Sequence, residues 1–120
     1  MGLLHKRVKI SWDKAATVRM LVDTGATYSV IPKALARAVG ITAVRPVTMT
    51  LANGRRVKVT GGTAMFKIGD REALTTILVG DVVEPILGVE TLEVLGLAVD
   101  PRRRRLTPTR SYTYRITGFR

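Results

Sequence analysis

The chain contains no cysteine and a single histidine among its 120 residues. A protein without cysteine has no disulfide framework, no thiolate nucleophile and no sulfur ligand for a metal. Aromatic residues make up only 5% of the chain, so aliphatic side chains must fill its interior. No apolar run approaches the ~20 residues that a membrane-spanning helix needs, and residues 1–7 lack the pattern of a secretory leader. We therefore expect a soluble, cytoplasmic protein without a transmembrane segment.

The net charge of +11 is unevenly distributed, because residues 101–120 contain no acid. That segment holds seven of the 20 basic residues, which leaves 13 basic and nine acidic residues, a net charge of +4, in residues 1–100. A hydrophobic content of 46% is enough for one domain with a single core. We expect this domain to cover residues 1–100, and residues 101–120 to form a basic C-terminal extension.

Alternating and continuous apolar segments predict a mainly β protein with two short helices. The helices are predicted at 33–39 and 89–95, each followed by a glycine that can end it. Gly61-Gly62 is expected to break the chain, and residues 74–79 are expected to form a buried strand. The other predicted strands are 8–10, 17–22, 47–51, 57–59, 64–68, 97–99 and 111–116.

The dipeptide Asn53-Gly54 lies between two alternating segments. Both residue types tolerate the positive φ that a tight hairpin turn requires, so this pattern is a strong short-range signal for a β-hairpin. We expect residues 47–59 to form that hairpin.

Asp23-Thr24-Gly25 follows the apolar end of a predicted strand. A carboxylate that emerges where a buried strand turns is unusual, because charged groups are rarely buried without partners. Peptide hydrolysis by paired aspartates requires two such carboxylates, yet the chain is too short to hold two copies of the surrounding unit. If Asp23 is catalytic in this sense, its partner must come from a second identical chain.

Several segments resemble those of a known family, and they occur in the same order along the chain as in that family. They are the loop Leu21–Ala26, the Asn53-Gly54 hairpin, residues 69–80, and Ile86-Leu87-Gly88 followed by a helix. The chain thereby resembles the retroviral-type (retropepsin-like) aspartic proteases, of the short single-domain kind also found in prokaryotes. The resemblance covers about residues 8–100. It implies a small closed β-barrel with one or two short helices, a homodimer that cleaves peptide or protein substrates, and no metal or cofactor.

The resemblance also implies roles for individual residues. Asp23, Thr24 and Gly25 would form the catalytic loop, with the Thr24 hydroxyl bonding across the dimer axis. Two further groups of residues would bind substrate or support the loop. Substrate would lie along Ala26 and Thr27 beneath a flap at Ala52, Asn53 and Gly54, and the support would come from Ile86, Leu87 and Gly88.

The chain departs from the viral pattern beside both motifs. Viral members often have an acid soon after the residue equivalent to Ala26 and an arginine after the second-motif glycine. This chain has Thr27-Tyr28-Ser29 and Val89-Glu90 at those places. The ion pair that stabilises the viral loop is therefore expected to be absent. This chain would then bind the ends of a substrate differently from the viral members.

Two alternative functions stay open from the sequence. One is a dimeric binding module that keeps the protease fold without turnover. The other is a basic protein whose Arg102–Arg105 run binds nucleic acid, with Tyr112, Tyr114 and Phe119 as stacking surfaces. Nucleic acid is the less favoured partner, because charge runs are usually solvated and the tail can equally contribute to a dimer contact. His5 is expected to be a solvated terminal residue without nearby ligands.

Overall fold

The computed structural model describes residues 3–42, 45–50 and 53–109. Within these ranges the chain forms two short helices, α1 at Lys33–Ala38 and α2 at Val89–Val94. The strands in this part of the chain are β1 His5–Ser11, β2 Ala15–Val22, β3 Ser29–Ile31, β4 Arg45–Thr50, β5 Arg56–Ile68, β6 Arg71–Val79, β7 Ile86–Leu87, β8 Leu97–Asp100 and β9 Arg105–Pro108.

Six of the strands form a closed ring. Their order is β1-β2-β7-β3-β6-β5, and β5 pairs back with β1. In the part of the chain that the structure describes, strand β4 pairs with β5 alone and so projects from the ring as one arm of a hairpin. Strands β8 and β9 form a separate antiparallel pair. The predicted mainly β fold with short helices is confirmed, and the closed ring is the form its strands take.

The core lies inside the ring and is almost entirely aliphatic, as the low aromatic content predicts. Alternate residues of each strand face inward, so Val8 and Ile10 of β1 are fully buried while Lys9 between them is exposed. The same alternation buries Ala64 and Phe66 of β5. Phe66 is the one aromatic side chain in the buried core of the described residues. Burying such side chains supplies most of the favourable free energy of folding.

Two predictions about the long hairpin β5–β6 are wrong. The chain does not break at Gly61-Gly62, because β5 runs without interruption from Arg56 to Ile68. Gly61 instead permits a close approach between strands, since a Cβ there would lie 3.0 Å from a methyl carbon of Val47. The strand at 74–79 is also less buried than predicted: Leu74 is 52% exposed, and continuous burial begins only at Ile77.

The sequence indicated β8 but not its pairing with β9, and it also gave no indication of the short strands β3 and β7. Pro101–Arg104 form the turn between β8 and β9, in which Arg104 has a positive φ of 51°. The Asp100 carboxylate accepts the backbone N–H groups of Arg102 and Arg103, at 3.0 and 3.2 Å. Leu106 of β9 packs against the core. Regular structure therefore continues past residue 100. The strand predicted at 111–116 lies outside the described residues and stays a prediction. The division of the chain into a domain and an extension at residue 100 also stays a prediction.

In the described segments, neither helix has the length and apolar character required to cross a membrane.

Strand β7 is inserted between β2 and β3, and this insertion depends on Gly88. Leu87 of β7 lies beside Val22 of β2, and Ile86 lies opposite Val30 of β3. Immediately after β7, the chain passes so close to the backbone before β3 that a Cβ on Gly88 would lie 2.5 Å from the carbonyl carbon of Tyr28. Real Cβ atoms essentially never come that close, and backbone cannot rotate out of the way as a side chain can.

Replacing Gly88 by alanine should therefore destabilise the protein. We expect Gly88→Ala to lower the free energy of unfolding by about 1 to 3 kcal/mol or more, the usual cost of forcing extra volume into packed structure. The matched control is Gly80→Ala, whose Cβ would meet Val30 and Val59 at ordinary distances of 3.8 and 4.0 Å. Urea unfolding of both variants measures the difference. Equal stability of the two would contradict the close packing described for Gly88.

Candidate active site

Asp23 is held where β2 ends against β7. Its backbone N–H donates to the carbonyl oxygen of Leu87 at 3.0 Å, which is the last contact of the parallel β2–β7 pair. The Asp23 carbonyl oxygen then accepts the N–H of Ala26 at 3.1 Å, closing a tight turn over Asp23–Ala26. The sequence folds this way because the apolar run that ends at Val22 pairs inside the ring, whereas Thr24-Gly25 is a pair of turn-favouring residues.

The Asp23 side chain is half-buried, and one of its oxygens is committed to the loop itself. Oδ1 accepts the backbone N–H of Gly25 at 2.9 Å. A Cβ on Gly25 would lie 3.2 Å from the same oxygen, so a larger residue would crowd the carboxylate. Over the described ranges, no hydrogen-bond donor reaches Oδ2. Thr24 and Gly25 are exposed beside it, so the carboxylate is oriented by its own loop and remains accessible.

The loop after Asp23 is fixed by the start of α2. The N–H of Val89 donates to the Ala26 carbonyl oxygen at 2.8 Å, and the N–H of Glu90 donates to the Thr27 carbonyl oxygen at 2.9 Å. The first N–H groups of a helix have no partner within the helix, and here they bind the loop. Ile86, Leu87 and Gly88 therefore lie directly against the loop that carries Asp23, although the supporting role inferred from the resemblance stays a proposal.

A buried cluster of three hydroxyl groups lies behind this contact, and the sequence analysis missed it. Ser29 Oγ accepts the N–H of Gly88 at 3.0 Å and lies 2.6 Å from Thr91 Oγ1. Thr91 Oγ1 also lies 3.2 Å from Thr75 Oγ1. All three side chains are buried. Water cannot reach their hydroxyl groups, so the hydrogen bonds within the cluster and to Gly88 satisfy them. The sequence signal was Thr91 itself, a polar residue next to Leu92 on the buried side of a short helix.

The predicted hairpin is confirmed, with β4 and β5 paired from Arg45 opposite Gly61 to Thr50 opposite Arg56. In its tip, Asn53 Oδ1 accepts the N–H of Arg55 at 3.0 Å, and Gly54 has a φ of 85°. Ala52 lies outside the described residues. The substrate-covering role assigned to this tip stays a proposal.

Two cavities adjoin these elements, and they are separate. One, of about 480 Å³, lies under the hairpin and is lined mainly by Val57, Val59 and Thr60 with residues 79–81. The other, of about 250 Å³, adjoins the candidate catalytic loop. Neither is lined by Asn53 or Gly54. The second cavity is lined by Asp23, Thr24, Leu3, Leu4, Val22, Val99, Pro101 and Arg104. Among the described residues, a single chain thus brings Asp23–Thr27 together with Ile86–Gly88, whereas Asn53 and Gly54 do not line the cavity of Asp23.

The expectation for His5 is wrong. Its side chain is only 17% exposed, and its Nε2 atom lies 2.8 Å from Oε1 of Glu84. This contact joins β1 to the segment immediately before β7. Local sequence patterns could not predict it, because the two residues are 79 positions apart in the chain. In the part of the chain that the structure describes, no three His, Asp or Glu side chains are placed to hold a metal ion.

The chain matches one known protein family over most of its length. The model of a family described as "gag-polyprotein putative aspartyl protease" matches residues 8–94, which include the Asp23 loop, the β4–β5 hairpin, Ile86-Leu87-Gly88 and α2. A search of curated proteins finds no match. Because the family match covers most of the chain and agrees with the ring of strands around the Asp23 loop, the chain belongs to the retroviral-type, retropepsin-like family of aspartic proteases.

Proposed function

We propose that the chain is a homodimeric aspartic endopeptidase in which two Asp23 carboxylates, one from each protomer, activate a water molecule. The observation that carries this proposal is the state of the Asp23 side chain. It is half-buried at a strand end, oriented through one oxygen by Gly25, and left without a donor on its other oxygen by the described residues. A lone carboxylate supplies either a base or an acid, and peptide hydrolysis needs both.

A pair of carboxylates supplies both roles, as the general case of the aspartic-protease dyad shows. Two carboxylates a few ångströms apart cannot both ionise readily, so one keeps a proton. In the proposed dimer, the ionised Asp23 takes a proton from water as the water oxygen attacks the peptide carbonyl carbon. The protonated Asp23 donates its proton to the carbonyl oxygen. When the resulting diol collapses, the C–N bond breaks and a proton passes to the leaving nitrogen, which releases an acid and an amine.

The surroundings of Asp23 support a second copy as the partner. The cavity beside the carboxylate is lined by apolar side chains from two ends of the described chain, among them Leu3, Leu4 and Val99. An apolar surface beside an incomplete catalytic group is suited to contact between identical chains, because a twofold axis places the same residue of each copy face to face. In this arrangement Thr24 would bond across the axis. Residues 101–120, of which 101–108 belong to the β8–β9 hairpin, would contribute to the contact.

Substrate would bind between the catalytic loop and the hairpin. Ala26 and Thr27 continue the loop beyond Asp23, and the cavity of about 480 Å³ under the hairpin is large enough for one or more substrate side chains. Ala52, Asn53 and Gly54 would close over the peptide, which excludes water and orders the reacting carbonyl. We place this activity in the cytoplasm, on peptide or protein substrates, without a metal or cofactor.

The first test replaces the proposed catalytic carboxylate. Asp23→Asn keeps the size of the side chain and the oxygen that accepts the Gly25 N–H, but it removes the acid. We expect peptide-library cleavage to fall by at least about 1,000-fold, in line with losses seen when a catalytic group is removed, while the dimer measured by analytical ultracentrifugation persists.

Two results would contradict the catalytic assignment. Cleavage retained in the Asp23→Asn dimer would exclude Asp23 as the essential acid. A wild-type dimer that cleaves nothing in the library between pH 3 and pH 8 would instead favour the binding module.

The second test concerns positioning by the hydroxyl cluster. Thr91→Val keeps the shape of the side chain but leaves Ser29 and Thr75 without their shared partner. Unsatisfied buried hydroxyls cost about 1 to 3 kcal/mol, and a displaced loop should lower kcat more than it raises KM. In this explanation the missing hydroxyl lowers kcat by displacing the loop. Thr91→Ser, which keeps the hydroxyl, should therefore retain the wild-type kcat.

The control for this test is Thr76→Val, an exposed threonine on β6 for which the described residues offer no side-chain hydrogen bond. Unfolding by urea and steady-state kinetics measure both variants. If Thr91→Val and Thr76→Val behave alike in both measurements, the cluster does not position the loop.

A further inference from the structure

The outward surface of β2, β1 and β5 carries a row of basic side chains. We call this set the basic face and define it as Arg19 of β2, Arg7 and Lys9 of β1, and Lys67 of β5. Residues directly opposite in antiparallel strands point to the same side of the sheet. Arg7 lies opposite Arg19, and Lys9 lies opposite Lys67. The residues that alternate with them, such as Val8 and Phe66, are fully buried on the other side.

These pairings work against the stability of the sheet. Like charges directly opposite one another on neighbouring strands are destabilising, and the face contains two such pairs in succession. In the described ranges, the ion pairs His5–Glu84 and Arg103–Asp100 include no member of the basic face. The nearest acid in the register is Glu72, which lies opposite Lys67 on β6 without forming an ion pair. The fold thus holds four cations on one side of the sheet, with an acid directly opposite only one of them in the printed strand register.

The cations form a stepped row across three strands. The row runs from β2 to β1 through Arg19 and Arg7, moves two residues along β1 to Lys9, and crosses to β5 at Lys67. Polar residues border it, with Thr17 opposite Lys9 on the β2 side. At the end of β1 the turn carries Trp12, whose side chain is 45% exposed. The surface therefore combines a row of positive charge with an exposed aromatic ring three residues beyond Lys9 along the chain.

We propose that the basic face binds the sugar–phosphate backbone of single-stranded nucleic acid. A row of cations matches a linear polyanion, whereas a lipid surface would be matched by charge spread over a plane. Two of the four cations are arginines, whose planar guanidinium groups bind phosphate oxygens in pairs. Trp12 supplies a ring on which a base can stack, a contact that tolerates any sequence. The repulsion within the face is relieved when phosphates lie between the cations.

This site is distinct from the Arg102–Arg105 run and from the proposed catalytic loop. Its residues lie on the outer side of the ring, and none of them lines the cavity of Asp23. Binding therefore does not depend on peptide cleavage. A protease carrying this face would be concentrated on nucleic acid together with substrates bound to the same strand.

The test measures binding of oligothymidylate to the full chain with Asp23→Asn, which prevents self-cleavage. An oligomer of about 16 nucleotides corresponds to the larger site sizes of small β-barrel binders. Fluorescence anisotropy gives the dissociation constant across a salt series. Each phosphate neutralised on a single strand contributes about −0.7 to the slope of log affinity against log salt. Four contacts therefore predict a weakening of about 50-fold between about 50 and 200 mM salt.

The decisive variant carries Arg7→Gln, Lys9→Gln, Arg19→Gln and Lys67→Gln. Its matched control carries Arg102→Gln, Arg103→Gln, Arg104→Gln and Arg105→Gln, which remove the same charge elsewhere. We expect the first variant to bind at least about 10-fold more weakly and to lose most of the salt dependence, while its melting temperature is maintained or raised because like charges have been removed.

Three results would overturn the proposal. The first is an equal or larger loss of affinity in the control variant, which would place binding at the β8–β9 turn. The second is no detectable oligonucleotide binding at low salt. The third is binding of phosphatidylserine vesicles through the basic face without oligonucleotide binding, which would identify a lipid surface as the occupant.

Discussion

The candidate site depends on the close backbone contact between Gly88 and the chain at Tyr28-Ser29. This contact lets β7 enter the ring beside β2, and it brings the first N–H groups of α2 to the carbonyl oxygens of Ala26 and Thr27. Ser29 accepts the Gly88 N–H in the same place. The Asp23 loop is thus fixed by backbone groups that cannot rotate away, which would provide the preorganisation that the proposed acid–base chemistry requires. Without a glycine at position 88, all of these contacts would have to move together.

A single chain orients one carboxylate, whereas the proposed chemistry needs two. The loop satisfies Asp23 Oδ1 through Gly25, and the apolar cavity beside it extends to Leu3, Leu4 and Val99. Membership of the retroviral-type protease family agrees with this arrangement. In the proposed dimer, symmetry supplies the second carboxylate, and the same contact covers the apolar surface. Catalysis and assembly would then depend on one interface.

The features that the sequence predicted are those encoded locally. Asn53-Gly54 indicated a hairpin because its turn requires positive φ, and the glycines at 40 and 96 marked the ends of two helices with φ values of 77° and 68°. The features that it missed depend on residues distant in the chain. Ser29 contacts Thr91, which is 62 positions away in the chain. The β8–β9 pair could not be predicted because nothing in the local sequence shows that Leu106 packs against the core. Gly61-Gly62 was misread because a strand glycine can serve close packing as well as a break.

Subunit mixing tests most directly whether two Asp23 carboxylates act in one site. Wild-type chains are mixed with Asp23→Asn chains, allowed to exchange, and assayed at constant total concentration well above the dimer dissociation constant. If both carboxylates are required, activity follows the square of the wild-type fraction, so an equal mixture retains about a quarter of the wild-type rate. A linear dependence, with about half of the rate retained, would mean that each chain carries a complete site and would contradict the account.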